Sequence, residues 1–483
     1  MSKFKITTLI LTFLTIGMHS SVMAQTDSLW TLKQCIDYAL EHNLSVQNQQ
    51  LNVELNEVNL QQSKMELTPS LNGNSNYGIN WGLSINPVSN IAQQQQQSNG
   101  SAGLNASWLI YNGGRVFHTI KQNMALLSNG KNDLEKTKND IILSIITNYT
   151  NVIFNKELLN NAESQFKSTQ SQLDRTQKQV AAGALPRSAE LDLKAQLANN
   201  ELNVINGQNT LMLSLLQLKQ VMLLQGTSQL EVIVPEIEVD SSMLADINVN
   251  LIFENAQSVM PEIKSADGQV EAAEIGILVA KGNYYPSIRL NAGFNTNYSS
   301  IVADRGMFEP DGTIIDYPTG DFVGTSAGTP VVRSIQNGTI VDYPTRQQLA
   351  DNFGQAIGLS LSVPIYNNMR ANSAVQRAKI TRERALIQAQ QVRQQLRQTI
   401  ETASSDALSS AKTYVSSFKS VEAQEESFRA TKQRYENGAA NYTEYQVSEN
   451  NLYQAKSNLL RAKYNFIFRL KILDFYQGNP IDL

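Results

Sequence analysis

The side chains best suited to covalent or metal chemistry are few: one cysteine, Cys35, and three histidines, His19, His42 and His118. Cys35 has no second thiol with which to form an internal disulfide or a metal cluster. His42 and His118 stand without a carboxylate or cysteine at metal-ligand spacing. No glycine loop that could cradle a phosphate precedes a lysine, and no nucleophile elbow is present. These residues describe a protein that is not an enzyme and holds no cofactor or metal. The formal net charge is −4. It falls to about −6 without Lys3 and Lys5, which argues against a nucleic-acid partner.

What remains is electrostatic chemistry near two glycine turns. Ala182-Gly183-Ala184-Leu185 is followed by Arg187 and Glu190, and Asn437-Gly438-Ala439-Ala440 lies between Tyr435 and Glu444. Glycine tolerates the left-handed backbone that joins antiparallel helices. A carboxylate repeated around a symmetry axis would form a ring of negative charge that admits cations or repels anions. On an isolated helix the same residue is simply a solvated glutamate.

The two turns are related by an internal duplication, which decides the organisation of the chain. The segment from Leu32 to Leu71 aligns with Val249 to Ile288 at an offset of 217, pairing Ala39 with Ala256 and Pro69 with Pro286. Ile110-Tyr111-Asn112-Gly113-Gly114-Arg115 aligns with Ile365-Tyr366-Asn367-Asn368-Met369-Arg370, and Gly183 with Gly438, at an offset of 255. The second half has therefore gained 38 residues between its proline and its Ile-Tyr-Asn motif. Each half reads as helix, strand, strand, very long helix, tight turn, helix. The first repeat covers 25–230, a linker 231–248, the second repeat 249–476 and a tail 477–483. Residues 1–24 have the basic flank, short apolar run and small-residue end of a secretory signal peptide.

A first helix is expected over Leu32–Met65, stopping ahead of Pro69. Behind each proline the apolar period changes to strict alternation, which predicts strands at about 70–86, 101–111, 287–298 and 355–366. Leu71, Tyr77, Ile79, Trp81 and Leu83 share one face of the first strand, with Asn72, Asn74, Asn76 and Asn80 on the other. In the third, Ile288, Leu290, Ala292 and Phe294 oppose Ser287, Arg289, Asn291 and Asn295. From Arg115 to Ala182 and from Arg370 to Asn437 there is no proline, and heptad spacing runs through Ile145, Val152, Leu159, Phe166, Leu173 and Val180.

Strands in hydrocarbon must close into a barrel to satisfy their backbones, and four strands are too few. A membrane reading therefore requires oligomerisation. The Asn-, Ser- and Gly-rich faces suit a water-filled lumen, and the strands lack the second apolar face that a soluble sandwich buries.

The duplicated plan, the Pro69 and Pro286 joints, the Asn112-Gly113-Gly114 joint and the turns at Gly183 and Gly438 together resemble the TolC-type outer-membrane efflux proteins. The resemblance spans nearly the whole chain after 1–24. It implies a membrane α+β fold in which a homotrimer forms a 12-stranded outer-membrane β-barrel continuous with a long periplasmic α-helical barrel. It also implies contact with outer-membrane lipid, docking to a periplasmic adaptor (membrane fusion) protein and, through it, an inner-membrane pump. In the family the helix turns meet the adaptor, which assigns that contact to Gly183, Ala184, Leu185, Gly438, Ala439 and Ala440. Glu444 matches an acidic residue that narrows the entrance, and Tyr435 a tyrosine that holds it shut.

This chain departs from the family at Ala189, Ala440 and Val447, where two acids and an arginine are expected, so Arg187 and Glu190 are candidates for a different lock. The gained residues fall in an extracellular insertion at about 299–350. Its Asp311-Gly312 and Asn337-Gly338 pairs, each opening a nine-residue near-repeat that ends at Thr319 and Thr345, predict short hairpins. The function implied is the outer-membrane channel of a tripartite efflux system, a passive exit duct for small molecules. The channel of a type I protein secretion system and a non-channel periplasmic coiled-coil scaffold stay open as alternatives.

Overall fold

The computed structural model describes residues 29–85, 92–224, 229–234, 248–324 and 328–479. The expected signal peptide, the last residue of the expected first strand at Asn86, most of the 231–248 linker and the end of the tail lie outside them. In chain order the elements are β1 (Leu29–Trp30), α1 (Leu32–His42), α2 (Leu44–Met65), β2 (Ser70–Ile85), β3 (Ala92–Asn112), α3 (Arg115–Ala181), α4 (Arg187–Met222) and β4 (Glu231–Val232). The second half contributes α5 (Val249–Val259), α6 (Pro261–Lys281), β5 (Ser287–Ser299), α7 (Ser300–Arg305), β6 (Met307–Val323), β7 (Thr329–Val341), α8 (Thr345–Asp351), β8 (Gly354–Ser362), α9 (Arg370–Glu436) and α10 (Tyr442–Tyr476).

The helix expected over Leu32–Met65 is two helices, and the break recurs at the duplicated position. Asn43 ends α1 with its N–H on the Ala39 carbonyl (2.8 Å), and its Oδ1 accepts from the N–H of Ser45 (2.8 Å), the second residue of α2. At the matching place Met260 is extended (ψ 127°) and precedes Pro261. Proline disfavours helical backbone in the residue before it but is well placed in the first turn of the helix that follows. One half thus makes the kink with a side-chain cap and the other with a ring.

The chain divides into two compact units. The first holds residues up to Glu54, Ser128–Asp267 and Ile387–Leu483; the second holds Leu55–Leu127 and Gly268–Leu386. In the first unit, two apolar clusters reproduce the duplication. Cys35, Ala39, Ile145, Val152 and Leu218 pack together, and their counterparts Ile252, Ala256, Ile400, Ala407 and Leu473 form the other cluster. Cys35 therefore takes the place of an isoleucine. It is fully buried, and burial pushes its thiol up to about 12, which makes it an inert small apolar residue. The hydroxyl of Tyr149, 2% exposed, shares its one proton between the carbonyls of Trp30 (3.2 Å) and Ile233 (3.0 Å), tying the β1–β4 ribbon to α3.

The long helices of this unit carry heptad positions inward at Ile145, Val152 and Leu173. They are also stitched by polar pairs: Asn161 to Ser457 (3.0 Å), Asn200 to Thr169 (2.8 Å) and Gln446 to Gln196 (2.6 Å). Such pairs fix register where an apolar seam alone would allow sliding.

In the second unit four strands form one antiparallel sheet in the order β2-β3-β5-β8, with β2 and β8 at its edges. The return strand β3 begins at Ala92, not near 101, because the glutamine run continues the ladder, with Gln97 opposite Asn80 and Gln96 opposite Trp81. Both strand-to-helix joints use two successive left-handed residues, Gly113 and Gly114 in the first half and Asn368 and Met369 in the second. Glycine is required at 113, where an added Cβ would lie 2.5 Å from the Gly282 carbonyl oxygen and 2.7 Å from Tyr285 Cβ.

The insertion corrects the expected pair of short hairpins. β6 and β7 form one long hairpin in which Ile314 to Pro318 lie opposite Gln336 to Val332 and Gly338 to Val341 lie opposite Pro310 to Met307, so the two near-repeats are offset along the ladder and meet only where each begins. Asp311-Gly312 sits in a register shift between Pro310 and Ile314, and Asn337 Nδ2 donates to Asp311 Oδ2 across the ladder (2.7 Å). Asp311 Oδ1 accepts from the Thr313 N–H (2.9 Å), so this Asx geometry makes a bulge and not a chain reversal.

Candidate channel wall and entrance turns

The four-stranded sheet has two chemically opposite faces, and the register shows each to be continuous across strands. On one face Leu104 lies opposite Phe294 and Trp108 opposite Leu290, which faces Leu359; Ile288 faces Leu361. Leu104 is 50% exposed and Leu359 67%, whereas Ile288 and Leu290 are half-buried and Phe294 stacks on Phe353 (centroids 5.8 Å). Tyr77 and Tyr298 flank Gly100 on this face, where an added Cβ would meet both rings at 3.6 Å. Trp108, eight positions along the strand from Gly100, donates its indole N–H to the Leu67 carbonyl (2.8 Å). From the Tyr77–Tyr298 pair to Trp108 this apolar surface runs about 27 Å at ~3.4 Å per residue, and on β2 it continues past Tyr77 through Ile79, Trp81 and Leu83, a pattern that a lipid-facing barrel wall shares.

The other face carries a ladder of amides and hydroxyls. Asn105 Nδ2 donates to Asn74 Oδ1 (2.9 Å), Ser107 Oγ to Asn291 Oδ1 (3.0 Å) and Asn291 Nδ2 to Ser360 Oγ (3.1 Å). The bonds link all four strands, and nearly every participant is neutral. Towards the Asn76 end of this face the insertion folds back onto the sheet. Buried Gln348 of α8 accepts from the Ser299 N–H (3.0 Å) and donates to the Tyr343 carbonyl (3.0 Å), while Asn352 donates to the Asn297 carbonyl (3.0 Å). A cavity of about 640 Å3 remains beneath, lined by Asn76, Gln97, Asn99, Asn297, Tyr343 and Gln348 among others. Nothing in the insertion's composition announced this docking.

In the first unit the two glycine turns have the same backbone. Gly183 (φ +75°) donates its N–H to Val180 and Ala184 to Gln179; Gly438 (φ +74°) donates to Tyr435 and Ala439 to Arg434. Each is a Schellman motif that satisfies the last carbonyls of a 67-residue helix. Gly183, Ala184, Gly438 and Ala439 are exposed, and Leu185 and Ala440 are half-buried.

The helices that leave the turns differ. Pro186 starts α4 without a side-chain cap, whereas Asn441 caps α10 by accepting from the Glu444 N–H (2.8 Å). Glu444 is half-exposed and lies 3.4 Å from Arg434, beside a shallow groove between α9 and α10. Glu190 pairs with Lys194 (2.7 Å), not principally with Arg187, and that bond holds its carboxyl below the usual range. Tyr435 packs against the rings of Tyr442 and Tyr445 (centroids 6.3 and 5.0 Å).

One residue near these turns escaped the sequence reading. Glu449 is 9% exposed and accepts from Ser168 Oγ (2.8 Å) and, at 3.5 Å, from the Tyr445 hydroxyl. Burial raises its carboxyl above the usual range, with the two hydroxyls pulling the other way. A carboxylate on a heptad flank looks like any solvated glutamate until the neighbouring helix is placed. Among the described residues no helix is long and apolar enough to cross a membrane, and no cluster of metal ligands occurs.

The sequence profile of the outer membrane efflux protein family matches residues 35–222 and 339–478. No curated protein gives a significant sequence match. Among solved structures, the chain is similar to CusC, with a TM-score of 0.71 and 16% identity over 93% of this chain and 92% of that one. It is similar to the outer membrane protein VceC of the bacterial pathogen Vibrio cholerae, with a TM-score of 0.70 and 16% identity over 93% and 97% of the two chains. For the CmeC outer membrane channel of Campylobacter jejuni the TM-score is 0.66, with 16% identity over 92% and 85%. At these identities the likeness is one of fold.

Proposed function

This chain belongs to the outer membrane efflux protein family, and we propose that it works as a homotrimer forming the passive exit duct of a tripartite efflux system. One observation carries the reading. Among the described residues, a sheet of four strands has a largely exposed apolar face, a polar face charged only at Arg289 and two unpaired edges, β2 and β8. Four strands cannot close alone, and edges in lipid cannot stay open. Three copies pairing β2 of one with β8 of the next give twelve strands, an apolar belt outside and the amide ladder around a water-filled lumen.

The helices then form the periplasmic conduit of the trimer. The exposed Schellman turns offer two similar small-residue tips per chain to an adaptor, which is consistent with docking by Gly183, Ala184, Leu185, Gly438, Ala439 and Ala440. Glu444, Tyr435, Arg187 and Glu190 surround the same turns as candidate entrance residues. The Arg434–Glu444 and Lys194–Glu190 pairs support a local, intrachain clasp in place of the family's lock. Selection of cargo and energy belong to the inner-membrane pump that the adaptor recruits.

Purified trimer added to one side of a planar lipid bilayer is expected to produce stepwise ion conductance. Folded, membrane-inserted protein that never conducts would overturn the duct and favour a scaffold.

A further inference from the structure

The four strands of the sheet contain no aspartate, glutamate or lysine and a single arginine, Arg289 on β5. Its face is fixed by its neighbour: Asn291, two residues on, bonds Ser107 and Ser360 within the polar ladder, and alternation puts Arg289 on that same side. Opposite it stand Leu109 on β3 and Ser360 on β8, neither of which can neutralise a guanidinium. Arg289 is exposed, and its side chain makes no ion pair or hydrogen bond among the described residues.

A second copy cannot pair it through the barrel either, because every copy has the same carboxylate-free strands. Charge on the lipid face of a barrel is strongly disfavoured, whereas charge on the lumen face is free to tune selectivity. An unpaired cation kept on an otherwise neutral wall therefore sets the sign of the field in the lumen.

Resting on the trimeric channel above, we propose that three Arg289 side chains form the anion-favouring ring of the barrel, so that the lumen passes carboxylated or phosphorylated small molecules more readily than cations. Three unit charges about 10 Å from a common axis in water, screened over about 10 Å at 0.1 M salt, favour anions over cations by about fourfold. The preference grows as salt is lowered. Glu444 and other groups of the chain carry the opposite charge, so the informative quantity is the change on substitution and not the absolute selectivity.

The test is the reversal potential of single channels in a potassium chloride gradient. Arg289→Gln is expected to lower the anion-to-cation permeability ratio about fourfold at 0.1 M salt, and Arg289→Lys to keep it. In Arg289→Cys, a cationic thiol reagent applied to the open channel restores the ratio while a neutral one of similar size does not; the buried native Cys35 does not compete. This comparison is made within one assembled channel and does not depend on how the substitution affects folding. Channels of normal conductance whose ratio is unmoved by Arg289→Gln, or equally moved by both reagents, overturn the ring and leave the duct standing. Wild-type trimers that never conduct overturn the duct and the ring together.

Discussion

Leu104 and Asn105 are adjacent on β3 and both exposed, yet their side chains leave the sheet on opposite faces, one opposite Phe294 and the other opposite Gly293. Replacing each by arginine isolates what lies beyond each face. Leu104 is midway between Gly100, with its flanking Tyr77 and Tyr298, and Trp108, about 14 Å from either along the strand. In the proposed barrel an arginine there would face the hydrocarbon, which near its centre costs about 2–4 kcal/mol. That lowers the folding equilibrium by roughly 30- to 1000-fold. Asn105→Arg points into water opposite a glycine and loses only the bond to Asn74, worth about 1 kcal/mol or less. Denaturant unfolding of purified variants in lipid vesicles, followed by loss of the heat-modifiable trimer on gels, measures the difference. A soluble sheet would tolerate both changes alike, so equal midpoints, or a larger loss for Asn105→Arg, refute the assignment of faces.

Three further outcomes follow from the same geometry. Gly183→Ala and Gly438→Ala, with open space around each Cβ, should cost only the left-handed backbone penalty of about 1–2 kcal/mol, whereas Gly113→Ala adds a clash with Gly282 and should lose trimer in heat titrations at much lower temperature. The raised carboxyl of Glu449 contributes stability that is present below the ordinary carboxylate range and is lost as pH rises through its folded value. Relative to wild type, Glu449→Gln should therefore gain stability as pH rises to neutrality, and a wild-type-minus-variant difference that is flat with pH refutes it. Gln348→Ala orphans the Ser299 N–H and the Tyr343 carbonyl at a cost of about 1–3 kcal/mol, frees α8 from the sheet and should raise single-channel conductance.

The duplication was legible because it constrains residues one by one: Pro69 with Pro286 and Gly183 with Gly438 stand at turns that few other residues can make. The alternation behind each proline was legible for a different reason. A face in lipid and a face in water differ more sharply than a face in a mixed core. The break at Asn43 was hidden because asparagine caps helices without interrupting their apolar period, although Pro261 marks the equivalent break in the second half. The Gln93–Gln97 run resembled a loop because amides satisfy either a turn or a ladder. Glu449 and the docking of α8 depend on partners hundreds or dozens of residues away, Ser168 for the first and Ser299 for the second, and no local pattern encodes them.

Closure of the sheet between copies is tested most directly by disulfide cross-linking of the two edge strands in intact outer membranes. Cysteines are placed singly at Asn72, Asn74 or Asn76 on β2 and combined in the same chain with Gly358→Cys, Ser360→Cys or Ser362→Cys on β8, with Cys35 left in its buried site. Three copies in a ring predict that at least one combination gives a covalent ladder ending at three chains. Cross-links confined to single chains, a ladder that stops at two or runs past three, or no cross-link in any combination of inserted protein would contradict a barrel shared among three copies.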